Sequence, residues 1–152
     1  MMRNAPALAR SISRIYARVD RQVEACGVRC KACGKCCAWG EEFVLFASSL
    51  EVRYLLGKKS TPEEVRPERC AYLQDGLCSA RESRPLGCRT YFCERERRDE
   101  LEEIHNRALR VLKRLAARRG LEWQYAPMME LLGERVRDLA GDSKSDSRGN
   151  RS

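Results

Sequence analysis

The chain has 152 residues, nine of them cysteine, and its 30 Lys and Arg residues against 22 Asp and Glu residues give a formal net charge of +8. This length fits one domain, and no stretch approaches the roughly 18 apolar residues that a membrane span requires. The N-terminal residues lack the apolar core of a secretory signal. We therefore expect a cytoplasmic protein with no membrane partner, where so many thiols favour metal or redox chemistry over disulfides.

The first predicted element is an amphipathic helix over residues 6–26. Pro6 suits the first turn of a helix, and Gly27 can end it. Apolar residues recur at steps of three and four and predict its buried face: Leu8, Ile12, Ile15, Val19, Val23 and Cys26. A cysteine-rich stretch at residues 30–37 follows, and the short apolar run at residues 43–46 is typical of a strand.

A second, shorter helix is predicted by the capping-box pattern Ser48-x-x-Glu51. We expect this helix to cover residues 50–56 and to end at Gly57. A further helix start at residues 61–64 is stopped soon afterwards by a proline.

Residues 68–93 are rich in turn-forming residues and cysteine. We expect little regular structure there, with the cysteines organising the chain. Asp75-Gly76 predicts a tight turn between two short strands at residues 71–73 and 77–79.

The C-terminal part is predicted to be helical. A strong apolar stripe indicates a helix over residues 98–119 that Gly120 ends, and a further helix is expected over residues 127–140. Tyr125, between these two helices, is expected to pack against them. Residues 141–152 contain no apolar residue and are predicted to be a disordered tail.

These elements predict a mainly α fold. We expect a small single domain over residues 1–140, in which three longer helices surround an irregular, cysteine-rich metal-binding centre. Its motif core would be residues 28–95, and residues 96–140 would form the C-terminal helical part.

Eight of the nine cysteines fall into two groups that have the composition of a metal site. The first group is Cys30, Cys33, Cys36 and Cys37, and the second is Cys70, Cys78, Cys88 and Cys93. Cys26 stands apart on the inner face of the first helix, where a small apolar role suits it.

The spacing of the first group allows two kinds of metal site. A C-x2-C pair is the usual zinc spacing, and Cys30-x2-Cys33-x2-Cys36 also matches the first three ligands of a [4Fe–4S] loop. The fourth ligand of such a loop would come from the second group. Soft thiolates select zinc or iron–sulfur over hard cations, so we expect the eight cysteines to hold zinc or an iron–sulfur cluster.

Arginines lie within the second cysteine group. Arg84 and Arg89 could offset the negative charge of a thiolate site, or hold an anionic substrate. We expect both side chains to point toward the cysteine centre. Arg81 belongs to the same set.

The order of these motifs resembles the cysteine-cluster family of YkgJ-like proteins, which are described as zinc- or iron-chelating proteins. The stretches that carry the resemblance are CKACGKCC at 30–37, CAYLQDGLC at 70–78 and RPLGCRTYFC at 84–93. The match covers roughly residues 28–95. The family often has a tyrosine shortly before the RP pair, where this chain has the sequence ARES.

The resemblance implies metal or cluster binding and does not imply a particular reaction. Some larger proteins with a similar domain are flagellin lysine methylases, in which the domain looks like a cluster carrier. This chain contains no GxGxxG-type loop for a methyl-donor cofactor.

His105 is the single histidine of the chain and lies on the inner stripe of the helix predicted over residues 98–119. Histidine is a frequent metal ligand, so a role beside the cysteine site is one interpretation, and an ordinary helix position is the other. The arginine-rich runs at residues 94–98 and 117–119 are balanced by acids and lack interleaved aromatic residues, which argues against a nucleic-acid partner.

Three functions fit the sequence. The first is a metalloprotein that holds zinc or an iron–sulfur cluster, and that could use a cluster in redox or group-transfer catalysis. The second is a zinc-stapled interaction module, and the third is a metal carrier with exchangeable sites. The sequence identifies neither a substrate nor a protein partner.

Overall fold

Helices make up most of the fold. In this computed structural model the described residues are 5–30, 44–91 and 96–145. Within these ranges the α-helices are α1 (Ala5–Ala25), α2 (Ser49–Lys58), α3 (Leu86–Thr90), α4 (Arg98–Arg118) and α5 (Met128–Ser145). The strands are β1 (Phe46–Ser48), β2 (Leu73–Gln74), β3 (Leu77–Cys78) and β4 (Tyr125–Pro127). The mainly α fold of a small single domain is therefore as predicted.

The two long helices α1 and α4 pack against each other and form the first part of the core. The buried residues of α1 recur at steps of three and four: Leu8, Ile12, Tyr16, Val19 and Val23. Those of α4 are Leu101, Ile104, Ala108, Leu112, Leu115 and Ala116. Both helical predictions are confirmed, although Tyr16 and not its neighbour Ile15 is the buried residue of the third turn.

A second core cluster lies between α2, α5 and the short strands. It contains Leu45, Val52, Leu55, Met128 and Leu132 among its buried residues. Strand β1 pairs antiparallel with β4, and the Met128 amide donates a hydrogen bond to the Leu45 carbonyl beside that pair. The sequence did not predict β4, because three residues that precede a helix carry too little alternation to indicate a strand.

The predicted hairpin is present, with slightly shorter strands. Strands β2 and β3 pair antiparallel, with Leu73 opposite Cys78. Asp75 and Gly76 both have positive φ, at 50° and 74°. Positive φ at both central residues is the geometry that favours Asp-Gly in two-residue turns.

Several boundaries differ from the prediction. Gly57 lies inside α2, which continues to Lys58 and is capped by the Lys59 amide on the Leu55 carbonyl; a Cβ at Gly57 would touch nothing within 4 Å, so this glycine is not required for a turn. Helix α3 forms where little regular structure was expected. Helix α5 runs five residues beyond 140, to Ser145.

One predicted helix is absent, and two other predictions lie partly outside the described ranges. No helix follows the start signal at residues 61–64, which lie in irregular backbone. Residue 43, the first of the predicted strand, and residues 146–152 of the predicted tail lie outside the described residues. Across the described ranges, no helix combines the length and the apolar composition needed to cross a membrane.

The Glu51 carboxylate joins three separate elements inside the protein. Glu51 is 1% exposed and forms the predicted capping box with Ser48. One carboxylate oxygen accepts hydrogen bonds from the Ser48 amide and hydroxyl, both at 2.8 Å. The other accepts from the Leu86 amide of α3 at 2.6 Å and from the Tyr16 hydroxyl of α1 at 3.3 Å. This carboxylate therefore fixes α3 relative to α1 and α2.

We predict that Glu51→Gln destabilises the protein by about 3 kcal/mol, because a side-chain amide would turn one of its two N–H groups toward buried donors. The measurement is urea unfolding followed by circular dichroism. Glu103→Gln is the matched control: it also removes one negative charge, but from an exposed i,i+4 pair with Arg107, and should change stability by less than about 0.5 kcal/mol. Equal unfolding midpoints for the two variants would contradict the role of Glu51.

Candidate functional site

The segment RPLGCRT, residues 84–90, lies at the centre of the fold. Helix α3 within it packs against α1, α4 and β1. Its first amide, that of Leu86, donates to the buried Glu51 carboxylate. Successive helical residues are rotated by about 100°, so the side chains of Cys88, Arg89 and Thr90 leave α3 in three different directions.

Gly87 allows α3 to approach β1 closely. A Cβ on this residue would lie 2.8 Å from Leu45 Cδ1 and 3.3 Å from the Phe46 carbonyl oxygen. Leu45 is buried in the second core cluster, so its side chain has little room to move. The glycine is therefore required for the close contact between helix and strand.

Three cysteines of the second group belong to the second core cluster or pack against it. Cys70 is buried in the second core cluster, and Cys78 and Cys88 are half-buried and packed against it. These residues come from irregular backbone, from strand β3 and from α3.

Tyr72 belongs to the same core cluster as Cys70 and has a buried hydroxyl. Its side-chain oxygen has no hydrogen-bond partner among the described residues. Burial, followed by the negative charge of Cys70, raises the pKa of Tyr72 to about 12. The phenol thus stays protonated and is a donor available in the neighbourhood of Cys70.

One contact joins Cys30, the first residue of the first cysteine group, to an arginine that lies between two cysteines of the second group in sequence. The Nη1 atom of Arg81 lies 3.9 Å from Cys30 Sγ, and the two residues are 51 positions apart in the sequence. Arg81 occupies a 3-10 turn, Arg81–Ser83, between Cys78 and Cys88. Cys30 is exposed at this point.

The other four predicted ligands, Cys33, Cys36, Cys37 and Cys93, lie outside the described residues. Among residues 5–30, 44–91 and 96–145, no three Cys, His, Asp or Glu side chains are grouped as a metal would require. The predicted eight-cysteine centre therefore stays a prediction. Cys30, Cys70, Cys78 and Cys88 are the predicted ligands that lie within the described residues.

Cys26 has different surroundings from the eight motif cysteines. It packs against the first core cluster at the end of α1. Burial raises the pKa of the Cys26 thiol, and its hydrogen bond to the Glu100 carboxylate raises it further. A thiol that donates to a carboxylate is a poor thiolate ligand, which agrees with the separate role that the sequence predicts for Cys26.

Arg89 is buried and its donors contact oxygen atoms. Its Nη1 donates to Asp20 of α1 at 2.7 Å. Its Nε donates to the Arg84 carbonyl and its Nη2 to the Glu82 carbonyl. The guanidinium carbon also lies 4.1 Å from the centre of the Tyr16 ring. Arg89 thus attaches α3 to α1 through Asp20 and Tyr16.

Arg84 is half-buried, and its Nε donates to the Arg81 carbonyl at 2.9 Å. The proposal that Arg84 and Arg89 lie beside the metal ligands is neither confirmed nor contradicted, because half of the predicted ligands lie outside the described residues.

His105 lies between two hydroxyl groups. Its Nδ1 is 2.9 Å from Thr90 Oγ1, and its Nε2 is 3.3 Å from the Tyr125 hydroxyl. The Thr90 hydroxyl donates its proton to the Leu86 carbonyl, so Nδ1 must carry the proton that Thr90 accepts. We therefore assign the Nδ1–H tautomer, in which Nε2 accepts from Tyr125. Burial lowers the pKa of His105 and favours this neutral form, against the opposing charges of Glu51 and Glu102.

The sequence analysis missed the partners of Arg89 and His105. Tyr16 and Asp20 are one helical turn apart on α1 and contact the same guanidinium. Thr90 and Tyr125 orient His105. Thr90 directly follows the Cys88-Arg89 pair, and its place in the RPLGCRT motif was the available signal. Tyr125 was expected to pack against the neighbouring helices, but its hydrogen bond to His105 was not predicted.

Comparisons of the chain with models of protein families, with curated proteins and with solved structures found no match. Membership of the cysteine-cluster family that the sequence resembles therefore stays a prediction.

We predict that Gly87→Ala destabilises the protein by about 2 kcal/mol, because the added methyl group overlaps a packed side chain. Gly57→Ala is the matched control, since it also places alanine in a helix but meets no atom within 4 Å; it should stabilise by about 0.5–1 kcal/mol. Thermal unfolding measures both. A Gly87→Ala variant with a melting temperature at or above that of Gly57→Ala would contradict the close packing of α3 on β1.

We also predict a pH dependence that His105 contributes. Its pKa is lower in the folded protein than in the unfolded chain, whose value is about 6.5. As the pH falls from about 7 to about 5, the unfolded chain binds the proton more readily, so stability is lost. The free energy of unfolding should fall less steeply over this range in His105→Gln than in the native protein. The same slope in both proteins would show that His105 does not contribute.

Proposed function

We propose that this chain is a cytoplasmic metal-binding protein that holds zinc or an iron–sulfur cluster through eight cysteines: Cys30, Cys33, Cys36, Cys37, Cys70, Cys78, Cys88 and Cys93. The observation that carries the proposal is the contact between Arg81 and Cys30. It brings the beginning of the first cysteine group to a residue flanked in sequence by Cys78 and Cys88. Both groups could therefore supply ligands to a common centre.

The surroundings of the described cysteines suit bound thiolates. A site with several thiolates carries net negative charge and requires nearby cations or hydrogen-bond donors. Arg81 is such a cation at Cys30. The Tyr72 hydroxyl, which is buried without a described partner and feels the charge of Cys70, is such a donor.

The identity of the metal decides what the centre can do. Zinc with four thiolates is a structural site that contributes to folding, whereas an iron–sulfur cluster supplies electron transfer or redox chemistry. In either case the residues of this chain would hold the group with sulfur and compensate its charge. Metal analysis distinguishes these two outcomes. An iron–sulfur cluster would favour a redox or group-transfer enzyme, and zinc would favour a zinc-stapled interaction module or a metal carrier.

The test is anaerobic purification of the full chain, followed by measurement of zinc, iron and acid-labile sulfide per protein. We predict a stoichiometric metal content. A brown protein with iron and sulfide in equal amounts would identify a cluster, and a colourless protein with zinc would identify a zinc site.

Single serine variants locate the metal. Cys30→Ser and Cys88→Ser should both reduce the metal content, because each removes a ligand from one of the two groups. Cys26→Ser is the matched control, since its thiol is hydrogen-bonded to Glu100, and it should retain the native content. The proposal fails if the purified protein holds no metal, or if Cys26→Ser loses as much metal as Cys30→Ser.

A further inference from the structure

A cavity of about 500 Å³ lies where β1, α3, α4 and β4 meet. Its size is within the range of small-molecule sites. Aromatic side chains form much of its wall, namely Phe46, Tyr91 and Tyr125. Arg98, Glu102 and His105 supply its charged and polar side chains from α4. It has no part in the metal-binding proposal above.

The exposed apolar surface of the described residues is concentrated at this cavity. Six large apolar side chains are notably exposed in these ranges, and four of them line it: Val44, Phe46, Tyr91 and Tyr125, each between 41% and 50% exposed. Small proteins rarely leave several such groups together in water unless they bind something. The Phe46 and Tyr125 rings lie 5.6 Å apart at 38°, which forms a wall on which a flat ring can pack.

The polar groups of the cavity are arranged on one side of it. Arg98, Glu102 and His105 are at positions i, i+4 and i+7 of α4 and therefore share a helix face. Neither Arg98 nor Glu102 has an ion-pair partner within the described part of the chain. A cation and an anion are thus presented next to each other at the edge of an apolar, aromatic wall.

The orientation of His105 adds an acceptor to this set. Tyr125 donates its hydroxyl proton to His105 Nε2, because Nδ1–H is held by Thr90. The Tyr125 oxygen then has lone pairs that can accept a hydrogen bond from a molecule in the cavity. The cavity offers one cationic donor group, Arg98, and two acceptors, Glu102 and Tyr125.

We propose that this cavity binds a free aromatic amino acid in its zwitterionic form. The α-carboxylate pairs with the Arg98 guanidinium, whose fork suits a carboxylate. The α-ammonium group donates to Glu102 and to the Tyr125 oxygen. The flat side chain packs against Phe46 and Tyr91, which provide the apolar surface that an aliphatic or polar amino acid would cover less well.

The test is isothermal titration calorimetry of the full chain, as purified with any bound metal, against L-tryptophan. We expect saturable binding at one site per chain. Tryptamine, which lacks the carboxylate, and indole-3-propionate, which lacks the amine, should each bind at least about tenfold more weakly, since each loses one charged hydrogen-bonding group. L-serine, which keeps both charges but lacks the ring, should not bind measurably.

Arg98→Gln should weaken binding of L-tryptophan at least about tenfold, with unchanged metal content and helical circular dichroism. Arg110→Gln is the matched control, because it removes one exposed arginine from the same helix outside the cavity; it should bind like the native protein.

Three results would overturn the proposal: no saturable binding of L-tryptophan, equal affinity for tryptamine and L-tryptophan, or the same loss in Arg110→Gln as in Arg98→Gln. None of these results depends on metal binding, so this proposal can fail while the metal-binding proposal stands, and the reverse.

Discussion

The arrangement around the candidate site depends on the buried carboxylate of Glu51. A charge removed from water is costly unless its oxygens are fully hydrogen-bonded, and here four donors from two helices and a helix cap satisfy them. Helix α3 has only five residues, too few to be stable alone. Its position is therefore determined by what its ends and side chains contact, and the contact from Leu86 to Glu51, at 2.6 Å, is at its first residue.

A second buried charge fixes the other side of α3. Arg89 is surrounded by Asp20, two backbone carbonyls and the face of the Tyr16 ring. Tyr16 contacts both charges, since its hydroxyl donates to Glu51 while its ring faces Arg89. Burial and the Glu51 charge raise the pKa of Tyr16 well above its usual value, so this phenol remains a donor. The oppositely charged groups and the tyrosine form one network that joins α1, α2 and α3.

With α3 held by this network, its side chains extend to different parts of the protein. Cys88 packs against the second core cluster, while Thr90 leaves α3 toward His105 and the aromatic cavity. Arg89 lies between them and points to α1. The metal-binding proposal and the amino-acid proposal therefore concern different side chains of the same short helix.

The long helices could be predicted because their information is local: a repeating apolar stripe and a terminal glycine define both α1 and α4. The capping box at Ser48 and the Asp-Gly turn were predicted for the same reason. The short elements α3 and β4 were missed, because they are stabilised by contacts with Glu51, Asp20 and β1, which are distant in sequence. Likewise, the sequence did not predict the partners of Arg89 on α1 and on the preceding residues, because no spacing rule indicates them.

The central claim is that the two cysteine groups bind metal with sulfur ligands. X-ray absorption spectroscopy at the edge of the metal found in the purified protein tests it most directly. We predict a first coordination shell of sulfur atoms alone, at about 2.3 Å for zinc, and a reduced number of sulfur atoms in Cys30→Ser and in Cys88→Ser. A shell of oxygen and nitrogen atoms, or a sulfur shell that is unchanged when either cysteine is replaced, would contradict the claim.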